Sequence, residues 1–345
     1  MSYARISRAQ PLLGTLVGIS LAGRGEDELH HAAAAAFAGI AHIHELMSVQ
    51  SATSELSTLN NSPVGTAVRI SPHTWRVLAL AEEISRLSDG AFDVTVGAAM
   101  MARDGAAGMH REPSERLATY RDIELLDGSR VRFRRALAVD VGGIAKGYAV
   151  DHAVRILRRL GVPAGCVNAG GDLRAFGDDT VAVQVRDPDD PGTARAHVDL
   201  RNRALATSAN YRRDNGFKAA GLVLDPRAGL CAVAQGRSAS VRAKSCAVAD
   251  ALAKCVLLLG ASSAAVLRHY HADGFLIEGD TAFAIDTRLP VAGSHSAWRR
   301  NRSAVSGPAT LAVPLRGRRN GGRQRARSEQ AGLDKTGFDK TGVAA

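Results

Sequence analysis

Apolar residues recur at helical spacing in five segments of the chain and alternate or run together between them. The helical spacing predicts helices at 27–47, Pro72–Leu87, 145–160, 243–259 and 262–269, the second capped by Ser71 and ended near Gly90. The other apolar runs predict strands at 14–21, 123–125, 131–133, 136–141, 165–167, 181–185, 196–199, 204–207, 274–279 and 282–286, with a loop at 103–116. Because helices and strands are interspersed without a regular βαβ rhythm, the pattern predicts an α+β fold.

Two strand ends are interrupted by paired glycines. In residues 140–151, DVGGIAKGYAVD, an apolar run meets Gly142-Gly143 and a helix follows. Unpaired N–H groups at a helix start bind phosphates, and glycine allows a ligand close to the backbone. Residues 167–177, VNAGGDLRAFG, repeat the glycine pair at Gly170-Gly171. The two segments predict a site for an extended anionic ligand, although such a pair is also common in a plain tight turn. Neither a Walker loop nor a Rossmann fingerprint is present.

The positive charge of the chain is concentrated near its C-terminal end. The 345 residues include 44 Lys and Arg and 34 Asp and Glu, a net charge of +10, and residues 298–345 hold +8 of it. This segment is rich in Gly and Arg and has no periodic apolar positions, so we expect a disordered tail after a folded domain at 1–297. No aromatic residues interleave with its arginines, and we expect no nucleic-acid partner.

The first twenty residues and the cysteines indicate a cytoplasmic protein. The start of the chain shows neither the apolar stretch of a signal peptide nor a cysteine for lipidation. No apolar run reaches the length of about 18 residues that a membrane-spanning helix needs. The cysteines, Cys166, Cys231, Cys246 and Cys255, lack metal or redox spacing, which predicts buried thiols.

Six further segments give the strongest indication of family. They are LLGTLVGISL (12–21), MSVQSATSELSTLN (47–60), DGAFDVTVG (89–97), ATSANYRR (206–213), LVLDPRAG (222–229) and SVRAKSCAVADALAKCVLLLG (240–260). In this order, and together with the two glycine turns, they resemble the ApbE family, the FAD:protein FMN transferases. A collinear set over about residues 12–280 is far more specific than any single motif.

The resemblance implies a two-lobed α+β fold, related to the T-fold, with mixed sheets, helices and a ligand between the lobes. It implies an enzyme that splits the diphosphate of FAD and moves FMN onto a Ser or Thr hydroxyl of an acceptor protein, releasing AMP. FAD is then a substrate and Mg²⁺ a required ion. The implied partner is a flavoprotein subunit with a target Thr or Ser. Relatives often work in the periplasm.

Site residues follow from the resemblance position by position. It places flavin and adenine contacts at Leu13, Gln50, Ala91, Phe92, Asp93, Gly142, Tyr148 and Leu224. It assigns the metal to the backbone carbonyl of Ala145 and to Asp250, and catalysis to Asp250 and Lys146. The sequence supports Asp250 independently, because a lone carboxylate in the apolar stretch VADALAK is costly unless it is paired or ligating.

Several polar residues have a structural explanation that is as good as a functional one. Those that can simply hold a turn or a strand pair are Asp93, Asn168, Asp172, Thr207, Ser208 and Asp225. The helix at 27–47 carries His30, His31, His42 and His44. Histidines one or two positions apart point in different directions on a helix, which favours an exposed face over a metal site.

Four positions depart from the family pattern. Leu222 stands where the family has a His, Lys254 and Ala228 where it has Thr, and Gln50 where it has Tyr or His. Lys254 is one helical turn after Asp250, so it can pair with Asp250 or replace part of the charge of a metal. We therefore expect FAD binding to be retained and metal dependence to be altered.

Two alternative functions remain open, and Leu222 and Lys254 favour the first of them. One is a non-catalytic FAD-binding module that stores or delivers flavin. The other is an FAD pyrophosphatase, in which water replaces the acceptor hydroxyl.

Overall fold

A computed structural model describes residues 3–103, 117–211, 223–231, 235–285, 299–304 and 315–316. Its helices are α1 (Glu26–Met47), α2 (Glu55–Asn60), α3 (Pro72–Leu87), α4 (Gly97–Arg103), α5 (Ala145–Arg159), α6 (Cys246–Leu259) and α7 (Ala264–His269). Its strands are β1 (Tyr3–Leu12), β2 (Thr15–Arg24), β3 (Val68–Arg69), β4 (Ile123–Leu126), β5 (Arg130–Phe133), β6 (Ala164–Ala169), β7 (Asp172–Phe176), β8 (Thr180–Arg186), β9 (Thr193–Leu200), β10 (Ala204–Asn210), β11 (Leu224–Asp225), β12 (Leu230–Cys231), β13 (Arg237–Ala243), β14 (Asp273–Glu278), β15 (Thr281–Ile285), β16 (Arg299–Ala304) and β17 (Leu315–Arg316). The predicted α+β class is confirmed.

The largest sheet is antiparallel throughout, in the order β1-β2-β6-β7-β10-β13-β14-β15. The β1–β2 turn, Leu13-Gly14, has φ of 56° and 68°, the two positive values that a type I′ hairpin turn requires. The register of β2 with β6 places the Gly170-Gly171 turn beside it, where a Cβ on Gly170 would overlap Thr15. The two turns thus share one end of the sheet.

One face of this sheet is covered by α1, α5 and α6. Helix α6 contacts β10 and β13, and α5 packs between α1 and α6. Almost every side chain from Cys246 to Leu257 is buried, so apart from Asp250 and Lys254 the surface of α6 is apolar. A helix of that kind belongs in a core, because each of its faces needs an apolar partner.

The sequence predicted no apolar run of membrane-spanning length, but the segment Cys246–His269, which contains α6 and α7, is long enough and apolar enough to cross a membrane, with a mean hydropathy of 1.6. In the fold this segment packs against β10, β13 and β14. Its buried side chains are part of the main apolar core. Packing of this kind is typical of a core helix.

The opposite face of the large sheet carries a second apolar cluster. Leu173, Phe275 and Ile277 from the large sheet are buried with Val183 and Val198 of the β8–β9 hairpin. Strands β16 and β17 flank that hairpin and complete a sheet ordered β16-β9-β8-β17. The fold therefore has three layers, with helices, a large sheet and a smaller sheet.

Two sequence-based predictions need correction. Residues 136–141 do not form a strand. The backbone of Val139 pairs instead with the side-chain amide of Asn60 at 2.8 and 2.9 Å, and Asp140 N–H bonds to Val94 O at 2.8 Å. The apolar run indicates only that these residues are buried. A buried backbone needs hydrogen-bond partners, and a side chain can supply them as well as a neighbouring strand can.

The second correction concerns the tail. Arg299–Ala304 and Leu315–Arg316 pair with β9 and β8, whereas the sequence predicted no strands after residue 297. The other tail residues, the predicted domain boundary at 297/298 and most of the predicted loop at 103–116 lie outside the described residues.

Candidate active site

The carboxylate of Asp250 lies at the start of α5. Asp250 is 1% exposed, and its Oδ2 accepts a hydrogen bond of 3.1 Å from the backbone N–H of Gly147. The residue before α5, Ile144, gives the helix no side-chain cap. A carboxylate near a helix N-terminus is stabilised by the unpaired N–H groups and the helix dipole. Asp250, which lies on α6, therefore caps the N-terminus of α5.

Helices α5 and α6 start in backbone contact. A Cβ on Gly147 would lie 2.6 Å from the carbonyl carbon of Cys246 and 2.7 Å from the nitrogen of Ala247. Real Cβ atoms do not come that close to backbone atoms, so only glycine fits at position 147. This contact sets the distance between Lys146, on one helix, and Asp250, on the other.

Asp151 makes the reciprocal bond from α5 to the start of α6. Its carboxylate accepts bonds from Cys246 N–H at 3.0 Å, Ala247 N–H at 3.0 Å and the Ser245 hydroxyl at 2.6 Å. Arg174 on β7 also donates to it, at 2.5 Å. Each helix thus contributes an aspartate to the N-terminus of the other, which fixes the two helices against each other.

Two lysines and two aspartates form one charge cluster at this contact. Lys146 pairs with Asp172, and its Nζ is 3.9 Å from Asp250 Oδ2. Lys254 Nζ lies 2.5 Å from Asp250 Oδ1 and donates to the backbone carbonyl of Asp250 at 2.9 Å. The carboxylates are almost fully buried, while the lysine side chains keep 34% and 19% of their surface. The two lysines and two aspartates carry no net charge together, and the lysines are the side chains that reach the surface.

The charge state of Lys146 follows from its neighbours. Burial works against its ammonium, but Asp250 and Asp172 together raise the pKa of Lys146 above its usual value. Burial, with the nearby carboxylate of Asp250, raises the pKa of Asp172, and Lys146 opposes that rise. Lys146 is therefore a permanent cation at neutral pH, suited to hold an anion and unsuited to accept a proton.

The first glycine turn lies directly against this cluster. Gly142 N–H bonds to Asp140 Oδ1 at 2.7 Å, which shapes the bend before α5. A Cβ on Gly143 would lie 3.1 Å from both Lys254 Cε and Phe92 Cε2. The bend therefore brings backbone, a cation and an aromatic ring together.

The second glycine turn reaches the cluster through Asp172. Asn168 Oδ1 accepts a bond of 2.9 Å from Gly171 N–H and so holds the turn, the structural alternative considered for it. Asp172 follows the turn and pairs with Lys146. Both glycine turns thus converge on the lysine–aspartate cluster.

The segments at 89–97 and 222–229 lie near each other. Ala91 and Phe92 are buried, at 1% and 5% exposure. A Cβ on Gly90 would lie 3.8 Å from the Arg227 side chain, in the turn that follows Leu224. Leu222 lies outside the described residues.

Three of the polar residues with two explanations have structural partners. Asp93 Oδ1 accepts from Thr95 N–H at 2.9 Å and Oδ2 from Tyr120 N–H at 2.8 Å, while burial raises the pKa of Asp93. Asp225 binds Arg227, whose hydrogen bonds lower the pKa of Asp225. These two carboxylates hold local turns. Thr207 shares a hydrogen bond of 2.7 Å with Ser240 on the next strand.

The remaining predicted flavin contacts are more dispersed. Tyr148 is 7% exposed, and its hydroxyl is 2.9 Å from His73 Nδ1, on the side of α5 that faces α3. Leu13 occupies the hairpin turn next to Gly170. Gln50 is exposed, and its side-chain oxygen accepts a bond from Ser48.

As arranged, the residues of this cluster do not fit a magnesium ion. One oxygen of Asp250 faces the ammonium of Lys254 and the other accepts the Gly147 N–H. Mg²⁺ needs free oxygen ligands in octahedral geometry, and a protonated lysine offers no lone pair. Within the part of the chain that the structure describes, no group of three or more His, Cys, Asp and Glu residues is placed to hold a metal.

Asp151 and His73 were missed by the sequence reasoning. Asp151, like Asp250, is a carboxylate in an apolar helical stretch, but the sequence indicates it only as the last residue of the motif at 140–151. His73 carried no local signal, because its contact with Tyr148 joins residues 75 positions apart.

Comparison with known proteins agrees with the geometry. The ApbE family profile matches residues 13–275. The FAD:protein FMN transferase of Haemophilus influenzae is 29% identical over 247 residues, covering 64% of this chain and 70% of that protein. The enzyme of the same name from Vibrio cholerae is 28% identical over 236 residues, covering 63% and 70%.

Solved structures show the same fold. The ApbE protein of Thermotoga maritima superposes with a TM-score of 0.71 at 25% identity, covering 83% of this chain and 98% of that one. The flavin transferase ApbE from Vibrio cholerae gives 0.68 at 22% identity, with 83% and 98% coverage. The family match spans most of the chain and includes both glycine turns, Lys146 and Asp250. The protein therefore belongs to the ApbE family.

Proposed function

We infer that this protein is an FAD:protein FMN transferase, which moves the FMN part of FAD onto a Ser or Thr hydroxyl of an acceptor protein and releases AMP. Relatives across the family carry that enzyme name. The observation in this structure that carries the proposal is the convergence of two glycine turns and two lysines at the start of α5. That combination matches the chemistry of a diphosphate.

Binding of the diphosphate uses the exposed cations. The lysines are fixed by buried carboxylates, so little side-chain entropy is lost when an anion arrives. The glycine bend lets phosphate oxygens approach the backbone. In the proposal, Lys146 and Lys254 contact phosphate oxygens, and Gly142 belongs to the backbone side of the site.

The transfer step exchanges one P–O bond for another. The acceptor oxygen attacks the phosphorus of the FMN half, the bond from that phosphorus to the bridging oxygen breaks, and AMP leaves with the electron pair. The acceptor hydroxyl loses its proton in the same exchange, and the proton is released to solvent. Lys146 stays protonated, so its role is to stabilise charge on the phosphates. Asp250 acts by holding Lys254 and the start of α5.

Contacts to the rings of FAD are proposed for the apolar and aromatic residues around the bend. Phe92 is packed against Gly143 and Tyr148 lies one helical turn into α5. Ala91, Leu13 and Leu224 are assigned to the same ligand by resemblance. Gln50 and Asp93 are the weakest of these assignments, since Gln50 is exposed and the carboxylate of Asp93 is already bonded to backbone.

The magnesium requirement rests on the resemblance alone. Each oxygen of the Asp250 carboxylate already accepts a hydrogen bond, one of them from the ammonium group of Lys254, and the backbone carbonyl of Ala145 would add only an uncharged ligand.

The acceptor that we propose is a redox flavoprotein subunit with a Thr or Ser target.

One incubation separates this function from its alternatives. The purified protein is mixed with FAD and a Thr-bearing acceptor, with magnesium in one arm and EDTA in the other, and the products are analysed by mass spectrometry. Covalent FMN on the acceptor supports the transferase. Free FMN and AMP indicate the pyrophosphatase, and intact FAD indicates the binding module that Leu222 and Lys254 favour.

A further inference from the structure

We propose that Lys254 takes the place of the divalent cation, so that this protein binds FAD and transfers FMN without magnesium. The proposal rests on the function inferred above and concerns its charge requirement. It begins from the bonds of Asp250, both of whose oxygens already have partners within the protein.

Lys254 is held as a fixed point charge. Its Nζ bonds to Asp250 Oδ1 at 2.5 Å and to the Asp250 carbonyl at 2.9 Å. A lysine ammonium has three N–H donors, so one remains for a ligand. The Lys254 side chain is 19% exposed, so a ligand can reach its ammonium group from the solvent-facing side of the cluster.

The position of Lys254 is that of a diphosphate contact. Its Cε is close enough to the glycine bend that a Cβ on Gly143 would come within 3.1 Å of it. Lys146 stands on the other side of the Asp250 carboxylate, at 3.9 Å. An anion at the bend therefore meets two ammonium groups from different helices.

The contacts of the cluster disfavour a metal at the same place. Two lysines and two aspartates sum to zero before the substrate binds, and the members of this set that a diphosphate meets are the two ammonium groups, because the carboxylates are buried. A divalent ion would approach the same two ammonium groups, and Asp250, the carboxylate assigned to it, is engaged by one of them. Like charges in a partly buried site repel strongly.

Affinity for FAD is the first test. In the wild-type protein we expect the dissociation constant, measured by flavin fluorescence, to agree within about twofold between EDTA and Mg²⁺. Lys254→Met removes the charge at similar length and should weaken binding in EDTA by about 10- to 100-fold, the value of one charge-assisted hydrogen bond. Lys254→Arg should retain metal-free binding. Lys244→Met, at an exposed lysine just before α6, is the matched control and should bind FAD as the wild type does.

Direct metal binding is the second test, and it needs no turnover. Mn²⁺ is titrated into the wild-type protein and into Lys254→Thr, each with FAD, and free Mn²⁺ is read by electron paramagnetic resonance. We expect Lys254→Thr, in which the Asp250 carboxylate is released, to take up one ion, and the wild type to take up none at that site. If Lys254→Met and Lys254→Thr do not fold, Lys254→Arg is compared with the wild type instead, and it should bind FAD without metal.

Two results would overturn the proposal. One is a wild-type protein whose FAD affinity or FMN transfer collapses in EDTA and returns with Mg²⁺. The other is stoichiometric Mn²⁺ uptake by the wild type that Asp250→Asn abolishes. A wild-type protein that binds no FAD with or without metal instead refutes the inferred function itself, so the two failures are distinguishable.

Discussion

Replacing Asp151 with alanine tests whether the reciprocal aspartates hold α5 and α6 together. The carboxylate accepts four hydrogen bonds, from Arg174, Ser245, Cys246 and Ala247. Its loss leaves Arg174, whose side chain is only 18% exposed, without this charge partner, and leaves the first N–H groups of α6 without their acceptor. Breaking a buried ion pair costs about 3–5 kcal/mol, and losing a helix cap costs about 1 kcal/mol. The terms share one side chain, so we expect a total of about 4 kcal/mol.

Urea unfolding followed by circular dichroism measures this loss of free energy. Asp27→Ala, an exposed aspartate in the first turn of α1, is the control, and its expected loss is below about 1 kcal/mol. Asp151→Asn keeps an oxygen acceptor and should fall between the two. If Asp151→Ala is no less stable than the control, the reciprocal contact does not hold the helices and the reasoning is refuted.

Three further predictions follow from the same contacts. Gly147→Ala should lose at least about 3 kcal/mol in urea unfolding, because its Cβ overlaps the backbone of Cys246 and Ala247; an unchanged midpoint would contradict this. Asp250→Ala should abolish FMN transfer in the acceptor assay, since it frees Lys254 and uncaps α5; full rate would remove Asp250 from the site. Burial, followed by His73 and Arg155, lowers the pKa of His152 to about 4 from 6.5. The unfolded chain then binds more protons than the native one between those values, so stability is complete above about pH 6.5 and falls as the pH drops towards 4. His152→Gln should flatten that acid slope in urea midpoints, and an identical slope would show that His152 is not its source.

The sequence predicted those elements whose signals are local. Helix α3 runs from Pro72 to Leu87 as predicted, and the hydroxyl of Ser71 accepts from Thr74 N–H. Strands β14 (Asp273–Glu278) and β15 (Thr281–Ile285) lie within one residue of the strands predicted at 274–279 and 282–286. A cap or a turn depends on residues within a few positions of each other, which a single sequence displays directly.

What could not be predicted depends on contacts between distant residues. Residues 136–141, predicted as a strand, are held by a hydrogen bond between Val139 and Asn60, which are 79 positions apart in the chain. No periodicity in the sequence indicates such a partner. Likewise, the sequence placed Lys254 one turn after Asp250 and left open whether the two pair. Only the fold shows that the backbone N–H of Gly147 donates to the other oxygen of Asp250.

The crossed aspartates of α5 and α6 also tie ligand binding to completion of the chain. Asp151 and Asp250 are about a hundred positions apart, and neither helix start is finished until both have been synthesised and docked. A fragment ending before residue 250 would contain both glycine turns and Lys146 yet have no assembled pocket. Flavin captured by the finished protein therefore stabilises the native state as a whole, and saturating FAD should raise the unfolding temperature in a single cooperative transition.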